Sequence, residues 1–388
     1  MNPTDAVALC SRLIEFDTSN PPGDEAGCAG FLGRTLADAG FEVAEHSFGP
    51  RRVNLVARKP GARATRSLCF VGHLDVVPAG AMPWRHPPFR ATQEGGRLYG
   101  RGSCDMKSGV AAFVVAAMRS AAQLGEDASL TLVFPGGEET GCEGSSALVR
   151  SGVDLTGFDG IVVAEPTDNK PLLGHKGALW LRARARGVAA HGAMPHIGVN
   201  AAVKAAHMVL RLQDFCADMP AHPVLGSPTL SIGKVRAGHA VNVVPDFAEI
   251  DVDLRTTPGL DHDTLRRRVL EELAPDIDDI ETIVSMSSVF TDPRSPWVQE
   301  VFEIVRQETG RTPGHETASY FTDASALSMA VGGAPIVILG PGSPRLMHQT
   351  DEYCETRQIF EAERIYLRLI AETLLRPVSR NVSLALQP

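Results

Sequence analysis

The sequence has no apolar run approaching the roughly 20 residues that a helix needs to cross a bilayer. It has no excess of basic charge either: 37 Lys and Arg stand against 46 Asp and Glu, for a net charge of −9. Nucleic acid and anionic membrane surfaces, which require basic patches, are therefore disfavoured as partners. None of the seven cysteines forms a Cys-x-x-Cys pair, which argues for free thiols in a reducing cytoplasm rather than for disulfides or a thiolate zinc site. The start, Met1 to Leu13, lacks the basic stretch and apolar core of a secretory leader and reads as a capped helix. No Gly-x-Ser-x-Gly occurs, which disfavours a serine hydrolase. Repeats and low-complexity tracts are missing as well. What is present is an ordinary globular composition, 44% hydrophobic and 21% charged, over 388 residues, enough for two or three domains.

The first part of the chain alternates helical and strand patterns. Helices are expected over residues 5–16, 25–39 and 109–124, and strands over 41–46, 53–58, 67–71, 130–134 and 160–164. These short β-branched runs, bounded by Gly and Pro, predict strands buried on both faces in a mostly parallel sheet. The pattern changes after Gly174. Leu179, Leu181, Ala183 and Ala185 interleave with Trp180, Arg182, Arg184 and Arg186, a period of two that predicts an antiparallel strand with one wet face. A helix over 200–217, strands over 229–236 and 248–254, a helix over 263–273 and a strand over 279–286 complete a small α+β sandwich. From residue 287 the α/β pattern resumes, with helices over 296–310, 323–330 and 359–375 and a strand over 334–339. The small domain, 175–286, thus interrupts a large one, 1–174 and 287–388.

Two imidazoles and three carboxylates stand out by context. His73 follows the strand 67–71, Asp105 lies between Gly102 and an apolar helix, Glu139 follows Gly136-Gly137 after a strand, Glu165 ends another strand before Pro166, and His348 follows Gly340-Pro-Gly. Open α/β sheets bind ligands at the carboxyl ends of their strands, where such side chains converge. A set of nitrogen and oxygen donors without thiolate suits a pair of divalent ions, zinc first and then cobalt or manganese. Asp75, two residues past His73, is placed to orient that imidazole. Glu138 and Glu139 would repel each other if buried without a cation; with one, either can bind it while its neighbour serves as a general base.

Taken in order, Gly-His-Leu-Asp-Val-Val-Pro (72–78), Gly-Arg-Gly-Ser-Cys-Asp-Met-Lys-Ser-Gly (100–109), Gly-Gly-Glu-Glu-Thr-Gly (136–141), Ala-Glu-Pro-Thr (164–167), Gly-His-Lys-Gly (174–177), Ala-His-Gly-Ala-Met-Pro (190–195) and Gly-Pro-Gly-Ser with His-Gln-Thr-Asp-Glu-Tyr (340–353) resemble the M20 family of metallopeptidases and amidohydrolases. The branch it looks closest to is that of acetylornithine deacetylase and succinyl-diaminopimelate desuccinylase. The resemblance implies an α/β zinc-hydrolase domain with an inserted α+β (ferredoxin-like) dimerisation and lid domain. It implies that His73 and Glu165 hold one zinc, Glu139 and His348 the other, and that Asp105 bridges them. Glu138 would be the general base, with Asp75 behind His73. His191 would reach the active site of a neighbouring copy in a homodimer. Arg255, Asn242, Lys176 and Gly340 would contact substrate, an N-acyl amino acid. A cis peptide is implied after Asp105. Many members carry a second Asp after the bridging one, where this chain has Met106. The implied activity is amide hydrolysis of the acetylornithine deacetylase type. A desuccinylase and a broader aminoacylase or dipeptidase are the near alternatives, and a catalytically silent metal-binding sensor or scaffold is the alternative of a different class.

Overall fold

Ten strands build the two larger sheets: β1 (Glu42–Gly49), β2 (Arg52–Lys59), β3 (Arg66–Val71), β4 (Ala128–Phe134), β5 (Gly160–Val163), β6 (Gly177–Arg186), β7 (Thr229–Ala237), β8 (Phe247–Thr256), β9 (Asp279–Met286) and β10 (Ile336–Ile338). They are seen in a computed structural model that describes residues 5–375, so the ends 1–4 and 376–388 of the expected large domain lie outside the described residues. By contacts the chain divides into two units. One is Met1–Pro171 with Arg294–Pro313 and Ala330–Pro388; the other is Leu172–Pro293 with Gly314–Met329.

The first unit is built on the sheet β1-β2-β4-β3-β5-β10, a mixed α/β arrangement. β4, β3, β5 and β10 run parallel, and β1 and β2 are antiparallel additions at one side. The parallel strands are the apolar runs of the sequence, and their residues are buried on both faces as such runs require. β1 departs from the expectation. It is an edge strand with Glu42, Ala44, Glu45 and Ser47 exposed, and its two glutamates are charges of the kind by which edges resist further pairing. The helix Lys107–Ser120 is buried nearly all round, packing against the helices Ala6–Ile14 and Thr356–Ile370. Phe70 of β3 joins sheet to helices, its ring 5.7 Å from Phe113 and 5.2 Å from Tyr366. A fully buried Phe of this kind contributes about 1.5–3 kcal/mol.

The second unit is an antiparallel sheet in the order β7-β8-β6-β9, with the helices Ala201–Leu212 and His262–Leu273 packed on it. Leu179, Leu181, Ala183 and Ala185 of β6 enter its core with Ile250, Val252 and Leu254 of β8, as the period of two predicts. Asn200 and Asp261 cap the two helices, each accepting first-turn amides. The segment 314–329 groups with this unit and not with the large domain. Backbone bonds cause this: Leu173 N–H donates to the Glu316 carbonyl at 2.9 Å, and Ala318 N–H to that of Gly174 at 2.8 Å. No helix among the described residues is long and apolar enough to cross a membrane.

Candidate metal centre

The parallel strands of the first unit end level. Val71 pairs with Val133 on one side and Val163 on the other, and Val163 pairs with Ile338. His73, Glu139 and Glu165 follow β3, β4 and β5 by a few residues, so one sheet edge delivers all three. Asp105 arrives differently. No strand of the main sheet ends just before it; it lies just before the helix Lys107–Ser120. Gly109 makes the approach possible. A Cβ there would sit 2.1 Å from the Ala164 carbonyl oxygen, so only glycine lets this helix start against the residue before Glu165. Gly340 crowds the same carbonyl, where a Cβ would lie at 2.3 Å. The peptide Asp105–Met106 is cis.

All five candidate ligands meet there. His73 Nε2 is 3.2 Å from Asp105 Oδ1 and 3.9 Å from Glu165 Oε1. On the other side His348 Nε2 is 3.3 Å from Asp105 Oδ2 and 3.1 Å from Glu139 Oε2. Ligand atoms of His73, Asp105 and Glu139 all lie within 4.8 Å of one another. Asp105 thus faces one imidazole with each oxygen. His73, Asp105 and Glu165 are buried, whereas the His348 side chain is 49% exposed and opens the cluster to solvent.

The charges are unbalanced in a telling way. Burial works against charge on His73, yet the hydrogen bond to Asp105, helped by Glu165 and Asp75, holds its imidazole well above the usual range. Hydrogen bonds to Asp105 and Glu139 push His348 up to about 10. Burial alone would raise Asp105, but the bonds to His348 and His73 outweigh it and hold that carboxyl below its usual range. Burial and then the charge of Asp105 raise Glu139. The cluster therefore draws positive charge to itself, which divalent ions supply without protons. The residues fit such ions on a second observation: Glu139 Oε1 is buried and accepts no hydrogen bond among the described residues. Cys104, adjacent in sequence, is not a donor to this set; its thiol points at the Ser343 carbonyl at 3.3 Å.

The supports are partly unforeseen. His73 Nδ1 donates to the backbone carbonyl of Asp75 at 2.9 Å, while the Asp75 carboxylate stands off at 3.6 Å. Either contact leaves Nε2 as the ligating nitrogen. The carboxylate is occupied elsewhere. It accepts the backbone N–H of Glu138 at 3.1 Å, that of Glu139 at 3.2 Å, and the Asn20 amide at 2.9 Å. Asp75 thereby ties the His73 loop to the loop carrying both glutamates. Asn54 Oδ1 accepts Gly136 N–H at 3.0 Å and steadies that loop from β2. Asn20 and Asn54 escaped the sequence reading; Asn20 sits in the conspicuous Asn-Pro-Pro-Gly turn, but Asn54 carries no local signal. Met106 is buried, and its sulfur receives the His73 backbone N–H at 3.3 Å.

The remaining candidates, apart from Gly340, belong to the second unit. Lys176 and Arg255 line a cavity of about 320 Å³ with Leu225, Thr229, Thr317, Ala318 and Ser319. Arg255 is held by Asp253, with Nε 3.0 Å from Oδ1, and Lys176 Nζ donates to the Ser227 carbonyl at 2.6 Å. His191 is exposed, and its Nδ1 accepts the Ala193 N–H at 3.1 Å, which puts the proton of a neutral ring on Nε2. Asn242 accepts Gly192 N–H at 2.7 Å through its carbonyl, joining its loop to that of His191.

The chain is similar to known proteins along most of its length. The description "Peptidase family M20/M25/M40" matches residues 69–372. A succinyl-diaminopimelate desuccinylase of Cereibacter sphaeroides is 31% identical over 386 residues, covering 95% of this chain and 99% of the relative. An acetylornithine deacetylase of Myxococcus xanthus is 31% identical, covering 87% and 89%. An M20 family metallo-carboxypeptidase from Sulfolobus solfataricus shares the fold with a TM-score of 0.80 at 16% identity, covering 96% of this chain and 99% of that one. On its ordered motifs, its fold and these matches, the chain belongs to peptidase family M20/M25/M40 and is a metal-dependent amidohydrolase.

Proposed function

We propose that the chain hydrolyses the amide bond of a short-chain N-acyl amino acid at a pair of divalent ions, zinc first, with cobalt or manganese able to replace it. The observation that carries this reading is the Asp105 carboxylate, which lies 3.2 Å from His73 through one oxygen and 3.3 Å from His348 through the other. His73 and Glu165 would hold one ion, Glu139 and His348 the second, and Asp105 both. Such ions supply Lewis acidity and make water nucleophilic near neutral pH. Glu138 takes the proton of the attacking water and passes it to the leaving amine. Its backbone amide donates to the Asp75 carboxylate at 3.1 Å, which ties its loop to that of His73. His191, protonated on Nε2, donates to the carbonyl oxygen as charge develops there.

An acetylornithine-type deacetylase is the first reading, on the segments Gly174–Gly177 and 340–353. The cavity that holds both Lys176 and Arg255 favours a second, desuccinylase, because two cations suit a substrate with more than one carboxylate. Asn242 and Gly340 complete the proposed substrate contacts. A panel of N-acetyl and N-succinyl amino acids, assayed with zinc, cobalt and manganese, tests the proposal. Hydrolysis that a chelator abolishes supports it; hydrolysis indifferent to the chelator sinks it.

The second unit is proposed as a dimerisation and lid domain, and His191 as a residue that serves a second copy. Met194, Ile197, Val199 and Val203 are exposed apolar side chains around the His191 loop and the following helix, an unusual surface for a monomer. Sedimentation of the purified chain should give a dimer, and mixing His191→Ala with Glu138→Ala protein should recover activity that neither has alone. A fully active monomer contradicts this part.

A further inference from the structure

Arg101 and Glu352 form an ion pair that the proposed chemistry leaves unused. Their side chains are 2% and 0% exposed. Glu352 Oε2 meets Arg101 Nη1, and Oε1 accepts the backbone N–H groups of Cys104 at 2.8 Å and Asp105 at 3.1 Å. Both oxygens are thus engaged, unlike those of Glu139, so Glu352 is not a spare ligand. Arg101 also reaches two more segments through Nη1 and Nη2, while its buried Nε makes no hydrogen bond among the described residues. Nη1 reaches the Gln349 carbonyl at 3.3 Å, and Nη2 the Pro78 carbonyl at 3.2 Å. The guanidinium carbon lies over the Trp84 ring, 5.0 Å from its centroid, within cation–π range.

The places touched are not random. Asp105 is the shared carboxylate, Gln349 follows His348, and Pro78 lies three residues past Asp75. No main-sheet strand ends just before Asp105 or His348, since β10 closes at Ile338. The sheet edge that sets His73 and Glu165 therefore does not set those two. A buried ion pair is a poor source of bulk stability, because apolar replacements of similar size are often neutral or better. What it supplies is direction, through donors and acceptors at fixed angles.

We infer that Arg101–Glu352 is a positioning pair that holds Asp105 and His348 at the spacing the second metal ion requires. This rests on the paired-metal reading. The test is titration of the metal-stripped full chain with Co²⁺ alone, followed by visible absorption and calorimetry, for wild type, Glu352→Gln and Arg101→Lys. Wild type should take up two equivalents. Glu352→Gln should keep the first and bind the second about tenfold or more weaker, in the range found for residues behind metal ligands, with an altered cobalt spectrum. Arg101→Lys keeps the charge but not the fork, and should weaken the second equivalent in the same sense. Should Glu352→Gln fail to fold by circular dichroism, Arg101→Lys decides. Two equivalents bound with wild-type affinity and spectrum in the folded variants would overturn the inference. Uptake of a single equivalent by wild type would overturn the paired-metal reading, and this inference with it; that failure is distinguishable because it appears in the unaltered protein.

Discussion

His73 in the first unit and His175 in the second are both buried, yet their surroundings drive them in opposite directions. His73 meets Asp105, Glu165 and Asp75, which overcome burial and raise its affinity for a proton. His175 meets the Lys176 carbonyl at 2.9 Å and the Thr322 hydroxyl at 3.2 Å, and burial lowers it to about 4. One imidazole sits in a field that demands a cation; the other is a neutral bracket between the Lys176 carbonyl and the Thr322 hydroxyl. Burial of a histidine therefore marks nothing by itself, and the acidic company decides. The same contrast holds for carboxylates. On the wet face of the second sheet Asp251 pairs with Arg182 at 2.7 Å and Asp279 with Arg184 at 2.9 Å. Asp105 and Glu139 meet imidazoles instead, and Glu139 keeps one buried oxygen unbonded.

The contrast can be broken at several points. The largest effect should come from Asp105→Ala, which removes the carboxylate shared by both halves of the cluster. Metal content by atomic emission should fall well below that of wild type, and hydrolysis should become undetectable. Glu138→Gln should leave metal content at the wild-type level while kcat drops about 10²–10⁴-fold, the usual contribution of a general base. Retention of near-normal turnover there would remove Glu138 from its role.

His175 gives a pH dependence whose sign follows from its lowered value. The unfolded chain, near 6.5, binds the proton more tightly than the folded one, at about 4. This part of the stability is present above about pH 6.5 and is lost as pH falls toward about 4. Thermal melts should show wild type losing stability across that window more steeply than His175→Gln; parallel curves would contradict the neutral-bracket account. The smallest effect belongs to Arg182→Ala. Its pair is partly exposed and solvent-screened, so metal content and turnover should stay at wild-type levels with only a slight change in melting midpoint.

Much of the cluster was legible because His73, Glu139 and Glu165 follow strand ends, where a sheet edge collects side chains. The alternation in β6 likewise announced the second sheet. Other features were hidden for physical reasons. The strands Gly174–His175 and Val289–Phe290 are too short to show any period. The helix Glu143–Arg150 begins after Cys142 in a left-handed conformation, with no side-chain cap to signal it. The segment 314–329 joins the second unit by backbone bonds and by contacts such as Thr322 on His175, all between residues too far apart in sequence to leave a local pattern. Glu352 was visible within His-Gln-Thr-Asp-Glu, but its link to the Asp105 amide spans 247 residues.

The account turns on whether the acidic edge of the first unit works through two ions. The direct measurement is hydrolysis of N-acetyl and N-succinyl amino acids by metal-stripped protein as Zn²⁺ is returned stepwise. The account predicts no activity without metal and a rise that saturates at two equivalents per chain. Full turnover by the stripped protein, or saturation at one equivalent, would contradict it.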